Sequence, residues 1–555
     1  MPPLFLLVAA ALSAEPFQAA IHTGDLDAAA QVLASAKLAR ADRLAWEAYL
    51  ASLRGEEPKL SGFRPRRASP EALVRAAHAG LRAWRWDAEV RRIAEAAAAL
   101  PDTVEGVPQV RAWVRLLQDG GGWGTCGDEC VDGASVPVAL AANLPLVRAT
   151  VGGHEGLFVV DTGASTHVLF AEWAGAQGIA VVEGTAYAGG SAGGEVPIRL
   201  TRADLAVGPM RFPGSPWAVI ETRILPGLAG ILSPQYLPWS GVVELDVPGG
   251  ALTLRAARSG GPDRVILPTL WVDGVPFTRA TLDGGSPGVL LLDTGAASTR
   301  VGESWSGVPR PDRTDQAVSA GGAVATWRAP GVHVLDLAGL QVPLQDPVVS
   351  PDRETAPGDP GRDGIVGIDL LGVRALQVGR NAGPLTLERT PRDPWAVGAQ
   401  SMLQLLHRPG CVVEEEVVSV DLPGPVIESR WSCGESAGLL RVRVPPANSD
   451  GWMLTRKAME AWEPGPDGAW NPLDPREVPG RWAPLFVGFK TTGLPAVDLA
   501  DVGDRTCGVM RIPAEVAGSP ATFETVDCPG EAFRTRRVEV RDEAGEVVFG
   551  FRLDP

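Results

Sequence analysis

The tripeptide Asp-Thr-Gly occurs twice in this 555-residue chain, each time in the same setting. Val159-Val160-Asp161-Thr162-Gly163-Ala164-Ser165-Thr166 is answered 132 residues later by Leu291-Leu292-Asp293-Thr294-Gly295-Ala296-Ala297-Ser298-Thr299. Other landmarks keep step. Asp204-Leu205-Ala206 and Asp336-Leu337-Ala338 each begin 43 residues after their aspartate. Gly230-Ile231-Leu232 follows by 69 residues and Gly364-Ile365-Val366 by 71, while Leu252-Thr253-Leu254 and Leu385-Thr386-Leu387 follow by 91 and 92. A register held to within two residues over that length marks a tandem duplication, so the chain must fold as two copies of one unit.

An aspartate beside glycine commonly does no more than tie a turn. Two such aspartates in equivalent loops offer something else, a pair of carboxylates that can meet. Held close together, they cannot both ionise cheaply, so they share one proton and titrate as a unit. The ionised member can accept a proton from water while the other donates to a carbonyl. Gly163 and Gly295 lack a Cβ and permit the close turn that such a meeting requires.

An apolar pair before Asp-Thr-Gly-Ala, a glycine-rich segment, Gly-Ile-Leu/Val and a closing Leu-Thr-Leu strand together resemble the retropepsin-like aspartic peptidases, here in a tandem, single-chain form. The resemblance covers roughly residues 135 to 390. It implies an all-β, acid-protease-like double lobe with lobe 1 at 136–258 and lobe 2 at 259–392. It further implies that Asp161 and Asp293 form a catalytic dyad, that Thr162 and Thr294 hydrogen-bond across the junction, and that Gly163 and Gly295 complete the loops. Tyr187-Ala188-Gly189-Gly190-Ser191-Ala192-Gly193-Gly194 and Ser319-Ala320-Gly321-Gly322 fall where the family's flaps lie, which makes Gly189, Gly190, Gly193, Gly194, Gly321 and Gly322 flap residues; ordinary hairpin turns are the plainer reading. Ala164 and Ala296 stand where pepsin-like enzymes usually carry Ser or Thr, so less acidic carboxylates and a less extreme pH optimum are expected.

Two departures from the pattern stand out. Ser233 replaces the closing glycine that the second unit keeps as Gly367, and its bulk is expected to shift the catalytic loop. Ala297 reads as one extra residue before Ser298-Thr299. His167 lies near Asp161 in sequence and reads as a surface or loop histidine.

Composition frames the remainder. Lys plus Arg total 50 against 66 Asp plus Glu, a net charge of −16 that disfavours nucleic acid and anionic membrane as partners. Residues 1–14, with the apolar run Leu4 to Ala11, resemble a secretory signal peptide without the usual leading cation, and no later segment is long enough for stable membrane insertion. Six cysteines fall into local pairs, Cys126 with Cys130, Cys411 with Cys433 and Cys507 with Cys528, which suits disulfides in a secreted or periplasmic protein. No cofactor motif appears, and Cys126-Gly-Asp-Glu-Cys130 lacks the second ligand pair a zinc site needs.

Residues 15–118 are alanine-rich with apolar residues at helical spacing. Ser69-Pro70 reads as a helix start and Leu73, Ala76, Ala77 and Leu81 as its buried stripe. Four to six helices packed as hairpins are expected, weakly repeat-like; simple packing is the default reading, and a partner-binding module or a cover over the site before activation the functional one. A linker follows at 119–135. After 395, alternating runs with frequent Pro and Gly predict a small β domain to residue 555. The sequence therefore reads as a multidomain, exported aspartic endopeptidase acting on protein or peptide. The competing reading is a catalytically inactive secreted binding or scaffold protein that kept the fold.

Overall fold

The computed structural model describes residues 15–388, apart from 84, 121, 125, 142–143, 190–194, 222–225, 248, 257–263, 312–313, 320–321, 346, 353–359, 372–374 and 380–384. Beyond them it describes 412–419, 426–433, 436–443, 459–464, 470–473, 489–528 apart from 504 and 517–518, 535–542 and 547–552. Residues 1–14, expected to be a signal peptide, Cys411, and Gly190, Gly193, Gly194 and Gly321 lie outside the described residues. The protein is mostly β-sheet with an N-terminal helical region.

Among the described residues six helices come first: α1 (Glu15–His22), α2 (Leu26–Ser35), α3 (Arg40–Leu53), α4 (Pro70–Arg82), α5 (Ala88–Ala98) and α6 (Val107–Gly120). Their starts follow local chemistry. Asp25 accepts the Ala28 N–H, Ser69 accepts the Ala72 N–H ahead of Pro70, and Asp87 accepts from Glu89 and Val90, each satisfying an amide that the first turn leaves open. Helix α6 carries on through Asp119 into the stretch that composition reads as linker. Cys126 and Cys130 beyond it are disulfide-bonded, as are Cys507 and Cys528.

The first β unit holds β1 (Ser135–Pro137), β2 (Ala139–Ala141), β3 (Leu144–Val151), β4 (His154–Val160), β5 (His167–Phe170), β6 (Val182–Gly189), β7 (Glu195–Val207), β8 (Met210–Ile220), β9 (Gly230–Leu232), β10 (Val242–Asp246) and β11 (Ala251–Arg255). The second holds β12 (Arg264–Leu267), β13 (Thr269–Val272), β14 (Val275–Leu282), β15 (Pro287–Leu292), β16 (Arg300–Gly302), β17 (Asp315–Ser319), β18 (Gly322–Arg328), β19 (Val332–Leu337), β20 (Leu340–Gln345), β21 (Val348–Ser350), β22 (Gly364–Val366), β23 (Ala375–Gly379) and β24 (Leu385–Glu388).

The sheet order β2-β3-β4-β9-β5-β8-β7-β6 in the first unit is matched by β13-β14-β15-β22-β16-β21-β18-β17 in the second. In each, the strand before Asp-Thr-Gly runs parallel to the Gly-Ile strand, β4 with β9 and β15 with β22. The units also share a six-stranded sheet, β1-β11-β10-β23-β24-β12, in which β10 and β23 meet antiparallel and Gln377 donates to Glu244 at 2.7 Å.

The apolar runs before each aspartate are buried on both faces, which explains why they do not alternate. Phe158, Val160, Leu290 and Leu292 face the main core. The opposite faces are covered by different elements in the two units. Leu157, Val159 and Ile231 pack under Leu116 of α6 and under Val497 and Leu499 of the strand Ala496–Val502. Phe277, Leu291 and Ile365 pack under Phe17, Ile21, Leu50 and Leu53 of α1 and α3. The C-terminal strands form two further antiparallel sheets, one of five strands and one of six.

The helical region is also pinned to the second unit by charge. Asp273 and Gly274 form the tight turn between β13 and β14 with φ of 54° and 76°, the left-handed pairing expected of Asp-Gly. Asp273 forms an ion pair with Arg82 of α4. Burial pushes the Asp273 carboxyl up, but Arg82, His78 and Arg362 outweigh it and hold it below the usual carboxylate range. His78 is driven the other way, from 6.5 to about 4, first by burial and then by Arg82. A histidine neutral when folded and protonated when unfolded costs stability as pH falls between those two values. The melting temperature is therefore expected to drop from pH 6.5 to 4, and His78→Asn to flatten that drop when melting is followed across the range.

Candidate active site

Asp161 and Asp293 come together at the ends of β4 and β15. Each carboxylate sits over the glycine of the opposite loop. A Cβ added at Gly163 would lie 2.5 Å from Asp293 Cγ, and one at Gly295 would lie 2.6 Å from Asp161 Oδ2. Glycine is thus required by the partner's carboxylate as well as by the turn. Within each loop the carboxylate also accepts its own glycine amide, Gly163 N–H to Asp161 Oδ1 at 2.6 Å and Gly295 N–H to Asp293 Oδ1 at 2.9 Å.

Beneath the carboxylates the two threonines, both fully buried, make a reciprocal bridge. Thr162 Oγ1 donates to Leu292 O at 2.7 Å and accepts the Thr294 N–H at 3.0 Å; Thr294 Oγ1 donates to Val160 O at 2.8 Å and accepts the Thr162 N–H at 3.0 Å. Four hydrogen bonds in a dry interior leave no water to compete, so sliding one loop past the other would orphan all of them.

The electrostatics are unequal. Burial raises the Asp161 carboxyl well above its ordinary range, and the neighbouring Asp293 charge and hydrogen bond raise it further. Burial also raises Asp293, but the hydrogen bond from Asp161, the Gly295 amide and the Arg300 guanidinium all act against it. Both carboxyls are thus pushed up, Asp161 the further, and the two titrate as one coupled pair.

The register corrects two expectations. Ala297 is no insertion: Val168 pairs with Ile231 as Arg300 pairs with Ile365, so the 132-residue offset persists and Ala297 occupies the place of Ser165. His167 is no surface residue: it is 1 % exposed, on β5, at the place of Thr299.

Ser233 also finds an explanation. In the second unit the Ile368 N–H ties down Ala296 O at 2.8 Å. The matching residue in the first unit is Pro234, which has no N–H. Side chains substitute for it. Ser233 Oγ donates to Ala164 O at 2.9 Å, and the buried Gln235 donates through Nε2 to Ala164 O at 3.0 Å, Thr162 O at 2.9 Å and Gly274 O at 3.2 Å. The serine therefore fastens the loop that it was expected to displace. Gln235 escaped sequence reading because its partners are backbone carbonyls from two distant segments.

Of the residues expected in flaps, Gly189 ends β6 opposite Glu195, and Gly322 begins β18 opposite Ser319. Both therefore sit at hairpin ends. Helix α6 packs on β6 and β7, and Arg202 of β7 donates to Leu116 O of that helix at 2.9 Å. Among the described residues no group of histidine, cysteine, aspartate or glutamate is arranged to hold a metal ion.

Asp161 and Asp293 thus meet on twin Asp-Thr-Gly loops. Residues 147–233 match the family model described as aspartyl protease. Among solved structures, the aspartic proteinase from Irpex lacteus is similar at 13% identity, covering 47% of this chain and 98% of that chain with a TM-score of 0.32, a likeness too slight to carry an argument. No curated protein matches the chain.

Two outcomes follow from this geometry. A carboxyl raised by folding destabilises the fold once pH exceeds its unfolded value and costs nothing below it. Asp161→Asn, which keeps a donor toward Asp293, should raise the melting temperature at pH 7 and leave it unchanged near pH 3. Gln235→Leu should lower stability by about 1–3 kcal/mol in chemical denaturation, because it strips buried carbonyls of their donor.

Proposed function

We propose that the chain is an exported aspartic endopeptidase of acid-protease-like, double-lobed form, hydrolysing peptide bonds with a water activated between Asp161 and Asp293. The observation that carries this reading is the reciprocal seating of each carboxylate on the other loop's glycine. The charge asymmetry supports a division of labour. Asp293 takes a proton from the water as its oxygen attacks the scissile carbonyl carbon, and Asp161 delivers its proton to the carbonyl oxygen. Collapse of the resulting diol returns a hydroxyl proton to Asp161. Asp293 passes its proton to the departing nitrogen as the C–N bond breaks. Both groups end as they began, without a covalent intermediate.

The glycine-bearing hairpins ending at Gly189 and beginning at Gly322 are assigned as flaps over the substrate. The disulfides are compatible with export, and among the described residues no helix is long and apolar enough to cross a membrane. Protein or peptide is the substrate class. The helical region is a candidate partner-binding module.

One observation favours the alternative of a catalytically silent binding protein. Helices α1–α3 bury Leu291, Ala296 and Ile365, which flank the second aspartate, so this wall is covered in the structure. Turnover separates the two readings. Purified mature chain is expected to cleave an unfolded protein somewhere between pH 3 and 8, and Asp161→Asn and Asp293→Asn are each expected to lose about 10²-fold or more, the scale of a positioned acid or base. A folded wild type without turnover at any of these pH values would favour the silent protein.

A further inference from the structure

The two catalytic loops are held by equivalent hydrogen bonds from different chemistry. In the second unit the Gly367 N–H donates to Thr299 Oγ1 at 3.0 Å, an acceptor whose capacity does not change with pH. In the first unit the Ser233 N–H donates to His167 Nδ1 at 3.2 Å. Because a backbone amide can only donate, Nδ1 must be unprotonated and the ring must be the neutral tautomer with its proton on Nε2. Ser233 in turn fastens Ala164 O, one residue from Gly163 and three from Asp161.

The ring has no room to turn away. It packs on Trp217 of β8 at 4.9 Å between centroids and on Tyr236 of the 3-10 turn Pro234–Tyr236 at 5.4 Å. Tyr236 is itself enclosed by Trp113 and Trp123. Of the groups packed on the ring, the Tyr236 phenol is titratable; along the chain the nearest carboxylates are Glu172, five residues on, and Asp161, six residues back. Protonation at Nδ1 would set an N–H against the Ser233 N–H in a buried site, converting an attraction into a repulsion.

We propose that His167 is a positioning residue that acts through Ser233: its neutral imidazole holds the Asp161 loop in working register, and its protonation releases that loop. The consequence is a one-sided acid limit. The Asp293 loop, tied by Thr299, stays in place as pH falls, while the Asp161 loop loses a tether. This limit is separate from protonation of the dyad.

The proposal rests on the peptidase reading for its kinetic readout, and a spectroscopic readout keeps the two apart. Full-length, uniformly 15N-labelled protein is examined from pH 8 to 4 by two-bond 1H–15N spectra of the histidine rings and by amide 1H–15N spectra, with His167→Thr or His167→Gln identifying the ring resonance. The Nε2–H tautomer is expected at neutral pH, and its protonation is expected to move the Gly163 and Ala164 amide signals together with it. A ring carrying its proton on Nδ1, or loop amides indifferent to its titration, would overturn the proposal whether or not the protein turns over substrate. In the cleavage assay, His167→Thr installs the second unit's own acceptor. It should retain kcat near pH 7 within about threefold and extend activity to lower pH, whereas His167→Leu, with no acceptor, should lower kcat about tenfold or more at every pH with KM little changed. An acid limb in His167→Thr that coincides with that of the wild type would equally sink the idea. Absence of turnover in the wild type would count against the peptidase reading alone, leaving the spectra to decide the role of His167.

Discussion

The reciprocal bridge between Thr162 and Thr294 fixes the one spot where the two β units must coincide. Each threonine spends both its hydroxyl and its amide on the other loop, so neither loop is complete alone. The carboxylates above are then forced onto each other's glycines, and two acids that would ionise independently in water become one coupled pair. The raised affinity of Asp161 for its proton follows from that enforced proximity and from burial. The remaining architecture, from the shared sheet to the outer covers, serves to keep this junction dry and in register.

Duplication supplies two similar loops, but a dyad needs two unequal roles. The inequality arises from substitutions outside the Asp-Thr-Gly motifs. Arg300 occupies the row held by Val168 in the first unit, and its charge favours ionisation of Asp293. Pro234 removes an amide donor that Ile368 provides, and Ser233 with Gln235 replaces it by side-chain donors. His167 stands for Thr299 as an acceptor. The backbone pattern is conserved between units while the atoms that enforce it are exchanged, and the exchanged set in the first unit is the one sensitive to protonation.

The covers show how a tandem fold becomes dependent on its neighbours. Central strands buried on one face only would alternate in hydropathy; here the ends of β4 and β15, Leu157–Val160 and Val289–Leu292, are apolar without a break because α6 with the strand Ala496–Val502, and α1 with α3, bury the second face. Gln235 and the turn at Asp273-Gly274 extend this dependence into the site. One amide group links the Asp161 loop to Gly274 O, and the adjacent Asp273 is held by Arg82 of the helical region. A chain of polar contacts therefore runs from helix α4 to the Asp161 loop.

The sequence by itself determined the pair of aspartates, the glycines beside them and the correspondence of strands, because duplication writes the same local constraints twice and side-chain periodicity is a local property. Helix starts such as Ser69-Pro70 were equally legible, since capping acts within one turn. The tertiary structure alone decided which carboxyl is raised the further, why serine replaces glycine at 233, that Ala297 inserts nothing, and that His167 is buried. Each of these depends on a hydrogen bond or a charge between residues about 70 to 132 positions apart, or on a strand register that such contacts set. Spacing along the chain carries no record of which distant carbonyl a side chain will meet; only the closed fold, with water excluded, makes that partner obligatory.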